Sequence, residues 1–385
     1  MRLRLTWAGA RLVAALTLPT VVSTPTRVLG DDRVIVRGNY YREASTRVLQ
    51  PMVSFSKQLP DERVEVGLDY LLDAISSASI ASGSAVLGGD QVFTEMRHEA
   101  TAKVSSRLGP WAWGTHLRYS TETDYTARSA GISLARDLLR RTLTFSGRYA
   151  YGLDRVYRIT DALATSAPWR SFVVQSDGTT RPGPTNLLQS HYVGFSASHV
   201  VTPRLWGATT LELARLQGPQ DNPYRTVGNG LAEVHPWRRR RVAPSASLRW
   251  AIPRTPLTAE QHYRYYSDDW DVSAHMTDTR LYLRLPRHLR TRGRYRFYTQ
   301  TGASFARGDS IYLPTEVHRT SDPKLSAFLS HTAGIELTYE FDGLARVEAF
   351  RWLDGAWIQA TYNHVFQTNR YGNARLGSLA FSVAY

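Results

Sequence analysis

The sequence predicts an all-β chain: a transmembrane, antiparallel, up-and-down β-barrel of about 16 strands, built from residues 31–385. Three observations predict it. Segments that alternate apolar and polar residues recur along the chain, the period-two signature of strands with two unlike faces. The breaks between them alternate between short and long. And one stretch, Trp270–Thr301, sets an arginine face against an apolar one. There Leu281, Leu283, Leu285, Leu289, Tyr295 and Phe297 share one side, and Arg280, Arg284, Arg290, Arg292, Arg294 and Arg296 share the other, across a Pro286-Arg287-His288 turn. So many guanidinium groups cannot lie in a dry core. The apolar side must nevertheless be covered. A soluble sheet with one wet side, or a barrel with lipid outside and water inside, meets both demands.

Bulk properties narrow the choice. Mean hydropathy is −0.34, and no apolar run approaches the roughly 20 residues of a membrane helix. A membrane-spanning chain of this kind has to be a barrel. The sequence has no cysteine, which excludes thiolate zinc sites, disulfides, a cysteine nucleophile and a lipidated cysteine. The net charge of +14 is carried almost wholly by arginine, since the only lysines are Lys57, Lys103 and Lys324. An arginine-rich chain raises the question of nucleic acid. No such motif is present, and the arginines are spread over alternating strand positions, so no nucleic-acid partner is expected.

The elements follow in order. Residues 1–30 read as a cleaved signal peptide: Arg2, Arg4 and Arg11 precede a short apolar core from Leu12 to Val22, and Gly30 precedes Asp31-Asp32. Arg33–Glu43 and Arg47–Gln58 read as strands, followed by a turn at 59–62. Val64, Val66, Leu68, Tyr70 and Leu72 alternate with Glu65, Gly67 and Asp69; Ala100, Ala102 and Val104 alternate with Glu99, Thr101 and Lys103. Beyond Gly109-Pro110, Trp113, Thr115, Leu117 and Tyr119 oppose Gly114, His116, Arg118 and Ser120. The strand around Ile132 and Leu134 is poorly patterned. Strands follow at Leu143–Leu153, Tyr192–Val201, Leu205–Leu216, Val242–Ile252, Leu257–Tyr266, Leu329–Phe341, Trp357–Phe366 and Arg375–Tyr385.

Short breaks are expected at 59–62, 109–110, 139–141, 202–204, 253–256 and 286–288, and long or polar ones at 76–90, 121–128, 156–186, 217–240 and 306–326. That is the layout of outer-membrane barrels, with short periplasmic turns and longer outer loops. The count of 16 requires 342–355 to be a periplasmic turn or short helix; Leu344–Leu353 as another strand is the alternative. The 21 Tyr, 10 Trp and 12 Phe suit girdles at two membrane interfaces. No repeat of propeller period is visible. Leu379, Phe381, Val383 and Tyr385 share one face, a pattern that resembles the C-terminal assembly signal of bacterial outer-membrane proteins. The barrel-assembly machinery is therefore an expected partner through Leu379–Tyr385, beside outer-membrane lipid and lipopolysaccharide.

Several segments resemble an uncharacterised bacterial family, a domain of unknown function that is predicted to form an outer-membrane barrel. They include Tyr40-Tyr41-Arg42-Glu43, the run Asp69–Ser79, Thr94–Glu99, Arg264–Trp270, Tyr295–Gln300 and His318–Ser326. The resemblance covers essentially the chain beyond residue 30. It implies fold and location, a Gram-negative outer membrane, and brings no activity and no catalytic residue.

Arg264, Arg280, Arg284, Arg290, Arg292, Arg294 and Arg296 are the candidate lumen-lining residues, because a cationic wall attracts anions. Against a bare cationic wall, Glu65, Asp69, Glu99, Glu212, Glu260, Asp278, Glu336 and Glu340 fall on inward faces and can neutralise it in a salt-bridged interior. Asp268-Asp269 could hold a divalent cation, although paired acids in a turn are commonly turn formers. The Arg238–Arg241 run could touch lipopolysaccharide phosphates or merely be a solvated strand entrance.

No Gly-x-Ser-x-Gly and no His-Glu-x-x-His is present. His98 and Glu99 point to opposite faces, whereas His116 and His262 face inward and could meet a serine or an acid. No catalytic, cofactor or metal residue is assigned and no enzyme is expected. Two function classes remain: a porin-like channel for small, preferentially anionic solutes, and a closed barrel that anchors or assembles periplasmic or surface proteins. If loops 156–186 or 306–326 fill the lumen, the channel loses support.

Overall fold

The computed structural model describes residues 32–385, apart from 45, 61–62, 79–91, 123–124, 161–164, 169–171, 175–179, 183–186 and 223–224. The signal segment read at residues 1–30 lies outside the described residues, as does much of the 156–186 loop.

The alternating segments become strands: β1 (Arg33–Arg42), β2 (Thr46–Gln58), β3 (Val64–Ala78), β4 (Val92–Leu108), β5 (Trp111–Thr121), β6 (Tyr125–Leu138) and β7 (Leu143–Thr160). Three short strands lie within the next connection: β8 (Thr165–Pro168), β9 (Phe172–Val174) and β10 (Thr180–Pro182). The chain returns as β11 (Leu187–Thr202), β12 (Leu205–Gln217), β13 (Arg238–Ala251), β14 (Leu257–Asp268) and β15 (Ser273–Leu285). It finishes with β16 (Leu289–Gln300), β17 (Phe328–Glu340), β18 (Trp357–Gln367) and β19 (Ala374–Ala384). β8 extends β7 outside the ring, and β9 pairs with β10.

The other sixteen strands pair antiparallel with their neighbours in chain order, β7 passing to β11. β19 then returns to β1, with Arg33 opposite Ala384 and Arg42 opposite Arg375. The ring therefore has no open edge, and each of its sixteen strands is paired on both sides.

One end of the barrel holds the tight connections. Several need left-handed backbone, as hairpins of two or three residues do: Leu139, Arg140 and Arg141 have φ of 46, 57 and 70°, and Arg287 and His288 both have 62°. The connection from β17 to β18 at this end contains two 3₁₀ helices, Phe341–Gly343 and Glu348–Leu353. That excludes a further strand at Leu344–Leu353 and fixes the count at sixteen. The poorly patterned segment near Ile132 is a regular strand, β6, ending in the 139–141 turn. Strands also run further toward the loop end than expected: β3 reaches Ala78, β6 starts at Tyr125 and β7 reaches Thr160, so those loops are shorter than the sequence breaks. The last long loop is longer, starting after Gln300.

The two faces separate as the alternation requires. Outside, Leu68, Leu117, Leu211, Leu248, Leu281, Ile335 and Leu379 are exposed and form an apolar belt. Trp111 and Trp250 stand at its turn end. Toward its loop end, the hydroxyls of Tyr70, Tyr149, Tyr263 and Tyr295 each meet the Nδ1 of a histidine, His98, His191, His275 and His331, at 2.7–2.9 Å. These pairs give each amphipathic ring a polar neighbour at one level of the wall. Among the described residues, apolar burial is confined to small clusters. The larger is Trp270, Val272, Ala303 and Leu325, under the outer loops.

Candidate functional site

Inward-facing side chains surround a cavity of about 1670 Å³ that runs along most of the barrel. Period-two alternation points one residue in two inward, which puts charged and polar side chains on its wall beside apolar ones such as Val48, Ile75 and Leu325. Arg264, Arg280, Arg294 and Arg296 border it. Arg292 and Arg290 share their strand face and pair with Glu336 (2.5 Å) and Glu340 (2.6 Å) nearer the turn end. Arg284, on the same face of β15, is exposed at that end.

The arginines are organised around a few carboxylates. Asp278 is fully buried and receives Arg280 Nε at 3.0 Å, Arg294 Nη2 at 2.5 Å and Arg296 Nε at 3.4 Å. Glu260 receives Arg249 (2.5 Å), Arg280 (3.2 Å) and the Tyr282 hydroxyl (3.1 Å). Glu212 is shared by Arg148 and Arg264. One acid held by two or three planar cations leaves net positive charge on that wall, while charge-assisted bonds fix each guanidinium. On the opposite arc the pairing is one to one: Arg118–Glu99, Lys103–Asp69 and Arg107–Asp137. The inward charge is thus paired unevenly, with acids shared among arginines on one arc and matched one to one on the other.

Sequence reasoning missed Arg148, Arg239, Arg241 and Arg249, all of which border the cavity. Strand parity would have found two of them in the Arg238–Arg241 run: Arg239 and Arg241 face inward, while Arg238 and Arg240 alternate with them. Asp268 and Asp269 are turn formers. Asp268 Oδ1 accepts the backbone N–H of Trp270 (2.9 Å) and Val272 (3.1 Å), and Asp269 Oδ1 accepts that of Arg240 (2.9 Å).

The two inward histidines differ. His116 lies over Gly131, its partner across the ladder, where any Cβ would collide with the imidazole. His262 Nδ1 meets the Ser247 hydroxyl at 2.7 Å, and Ser247, His262 and Asp278 occupy one row across β13, β14 and β15. A serine–histidine–acid relay needs the acid to orient the imidazole. Asp278 is instead committed to its three arginines. At the turn end, His288, Glu340 and Asp342 bring three ligand atoms within 4.8 Å of one another, but Arg290 already neutralises Glu340.

At the opposite end, the loops 218–237 and 301–327 fold together over the mouth. Val234 and Arg319 exchange backbone hydrogen bonds (3.0 and 2.9 Å). Beneath this bridge, Arg225 pairs with Asp322 at 2.9 Å and reaches Glu233 at 3.5 Å, and His235 Nε2 lies 3.2 Å from Glu233. Glu233 also accepts the Thr320 hydroxyl and the backbone N–H groups of Ser321 (3.2 Å) and Asn222 (3.3 Å). Burial alone would push the Glu233 carboxyl up, but Arg225 and His235 hold it down at about 2. Burial also opposes a charge on His235, but Glu233 together with Asp221 and Asp322 raises the imidazole above its ordinary value. Asp322, Lys324 and Leu325 of the second loop border the cavity. That loop thus roofs the lumen without filling it.

A sequence profile of the family described as "Protein of unknown function (DUF3570)" matches residues 87–352. No curated protein matches the chain. Among solved structures, a bacterial polysaccharide outer membrane secretin is similar at 6% identity and a TM-score of 0.52, over 93% of this chain and 100% of that one. CdiB from Acinetobacter baumannii is similar at 7% identity and a TM-score of 0.53, over 92% of this chain and 60% of that one. At such identities the likeness is one of fold, the outer-membrane type of barrel.

Proposed function

From a chain that belongs to the DUF3570 family of unknown function and closes into a sixteen-stranded barrel, we propose an outer-membrane channel for small, preferentially anionic solutes. The observation that carries this is the cavity of about 1670 Å³ along the barrel, with Arg264, Arg280, Arg294 and Arg296 on its wall. Asp278 and Glu260 cannot neutralise the arginines they share, so the wall favours anions without binding them irreversibly. The exposed apolar belt and its Tyr–His ring at the loop end support a location in the outer membrane, among outer-membrane lipid and lipopolysaccharide. The outward row of Leu379, Phe381 and Val383 on β19 is the surface we assign to the barrel-assembly machinery.

A second proposal, a closed barrel serving as an anchor or assembly partner, draws on one feature: the ion-paired roof made by loops 218–237 and 301–327. Single-channel conductance of the refolded protein in a planar bilayer, under a KCl gradient, separates the two. Stable steps with a reversal potential on the chloride side support the channel. A folded, heat-modifiable barrel that never conducts sinks it and leaves the anchor.

A further inference from the structure

Every arginine that borders the cavity pairs with a carboxylate among the described residues, with one exception, Arg241. Its Nε is buried and meets no hydrogen-bond partner. The reason lies in its neighbour. Arg241 stands opposite Asp268 in the β13–β14 ladder, the natural partner for it. But Asp268 is saturated. Its Oδ2 accepts Arg239 Nε (2.8 Å) and Nη2 and the Tyr266 hydroxyl (2.6 Å), and its Oδ1 accepts two turn amides. Arg239 is locked further by stacking on Trp270, 4.0 Å from the ring centre. Two cations therefore share one fully occupied acid, and the second is left without an acid at the border of the cavity.

The surroundings give that charge a place to work. Across the ladder Arg241 faces Ala214, which faces Tyr192, so a small residue leaves a gap between guanidinium and phenol. Tyr192, Tyr266 and Arg241 all border the cavity just beneath the roof. A guanidinium with free N–H donors suits the planar or tetrahedral oxygens of an oxyanion. The adjoining rings offer apolar contact to the rest of a small solute.

We propose that Arg241, with Tyr192 and Tyr266, forms an oxyanion-binding subsite at the roofed end of the lumen, the first point at which a small carboxylate or phosphate solute is held. This subsite rests on the channel proposed above and specifies where its solute docks. A charged wall whose arginines are mostly bound to acids can attract anions in general; an unpaired one can bind them singly.

The test is equilibrium binding, by titration calorimetry, of inorganic phosphate and of benzoate to the refolded full-length barrel in detergent. Wild type is compared with Arg241→Gln, with Arg241→Lys, which keeps the charge, and with Arg346→Gln, an exposed residue of the turn end. Heat-modifiable mobility checks that each variant folds. Saturable binding of at least one probe is expected, weakened about tenfold or more by Arg241→Gln and unchanged by Arg346→Gln. Arg241→Lys should retain phosphate binding. Binding of benzoate alone assigns the subsite to carboxylates with a flat body; binding of phosphate alone assigns it to compact anions. Absence of saturable binding, or binding that Arg241→Gln leaves intact, overturns the subsite. The outcome is separable from that of the channel: a conducting barrel without Arg241-dependent binding refutes only the subsite, and a binding barrel that never conducts refutes only the channel.

Discussion

Replacing Glu233 by glutamine removes a negative charge from the centre of the roof while keeping its shape. In the wild type Oε1 accepts the Thr320 hydroxyl and the Ser321 N–H and faces His235, while Oε2 accepts the Asn222 N–H and faces Arg225. An amide can reproduce the first set but turns its N–H₂ toward the second set of donors. Arg225, 3% exposed, keeps Asp322 at 2.9 Å, so the stranded charge is only partly uncompensated. Breaking a buried pair costs ~3–5 kcal/mol, and the surviving Asp322 contact places the cost near the lower figure, about 3 kcal/mol. Because the roof can open without the barrel unfolding, that cost appears as local opening, raised roughly 150-fold. Hydrogen exchange read by mass spectrometry measures it at the roof amides of Val227, Glu233, Val234 and Arg319, which bond within the two loops. Exchange there should accelerate by about two orders of magnitude, with strand amides unaffected. Roof amides that exchange as slowly as in the wild type would refute the assignment of the roof's cohesion to this charge cluster.

The same cluster predicts a pH response. The folded-state value of His235 is raised, so its contribution is complete below the ordinary imidazole value of about 6.5 and fades as pH climbs through the raised one. The Glu233 contribution runs the other way, present above the ordinary glutamate value and lost as pH falls toward about 2. Roof protection, taken relative to the intrinsic exchange rate at each pH, should therefore be greatest between these limits and fall on both sides. Charge reversal at Arg292 and Arg294, to glutamate, should move the reversal potential in a KCl gradient toward the potassium side; an unmoved potential would place the ion path elsewhere. Leu281→Arg puts a cation on the exposed apolar belt. It should lower the unfolding free energy in lipid vesicles by ~2–4 kcal/mol if that position lies near the bilayer centre, whereas a cost near zero would remove Leu281 from the hydrocarbon zone.

The barrel was legible because one rule, alternation, is written into nearly every strand, and because short breaks alternate with long ones along the chain. β16 shows it best: Arg290, Arg292, Arg294 and Arg296 against Leu289, Tyr295 and Phe297 leave no doubt about its faces. β6 was harder, because small residues such as Ala130, Gly131 and Ser133 blur both faces, and its regularity comes from pairing with β5 and β7. The charged wall was legible as a set of inward residues. Which acid serves which arginine was not, since Arg148 and Glu212 sit on β7 and β12, separated in the ring only by β11, yet far apart in the chain. The roof was invisible for the same reason: Arg225 and Asp322 look like ordinary polar loop residues until a bridge between Val234 and Arg319 joins two distant loops.

The ladder that joins β19 to β1 imposes an order of events on the making of this molecule. It links Arg33 to Ala384, so the contact that completes the wall spans nearly all the described residues. Contacts of such separation form late and slowly. Until then, any partial assembly of consecutive hairpins carries two raw borders, each able to capture a strand from another chain. The growing protein needs its borders shielded, and the last hairpin, β18 to β19, is the key that releases it as a finished object.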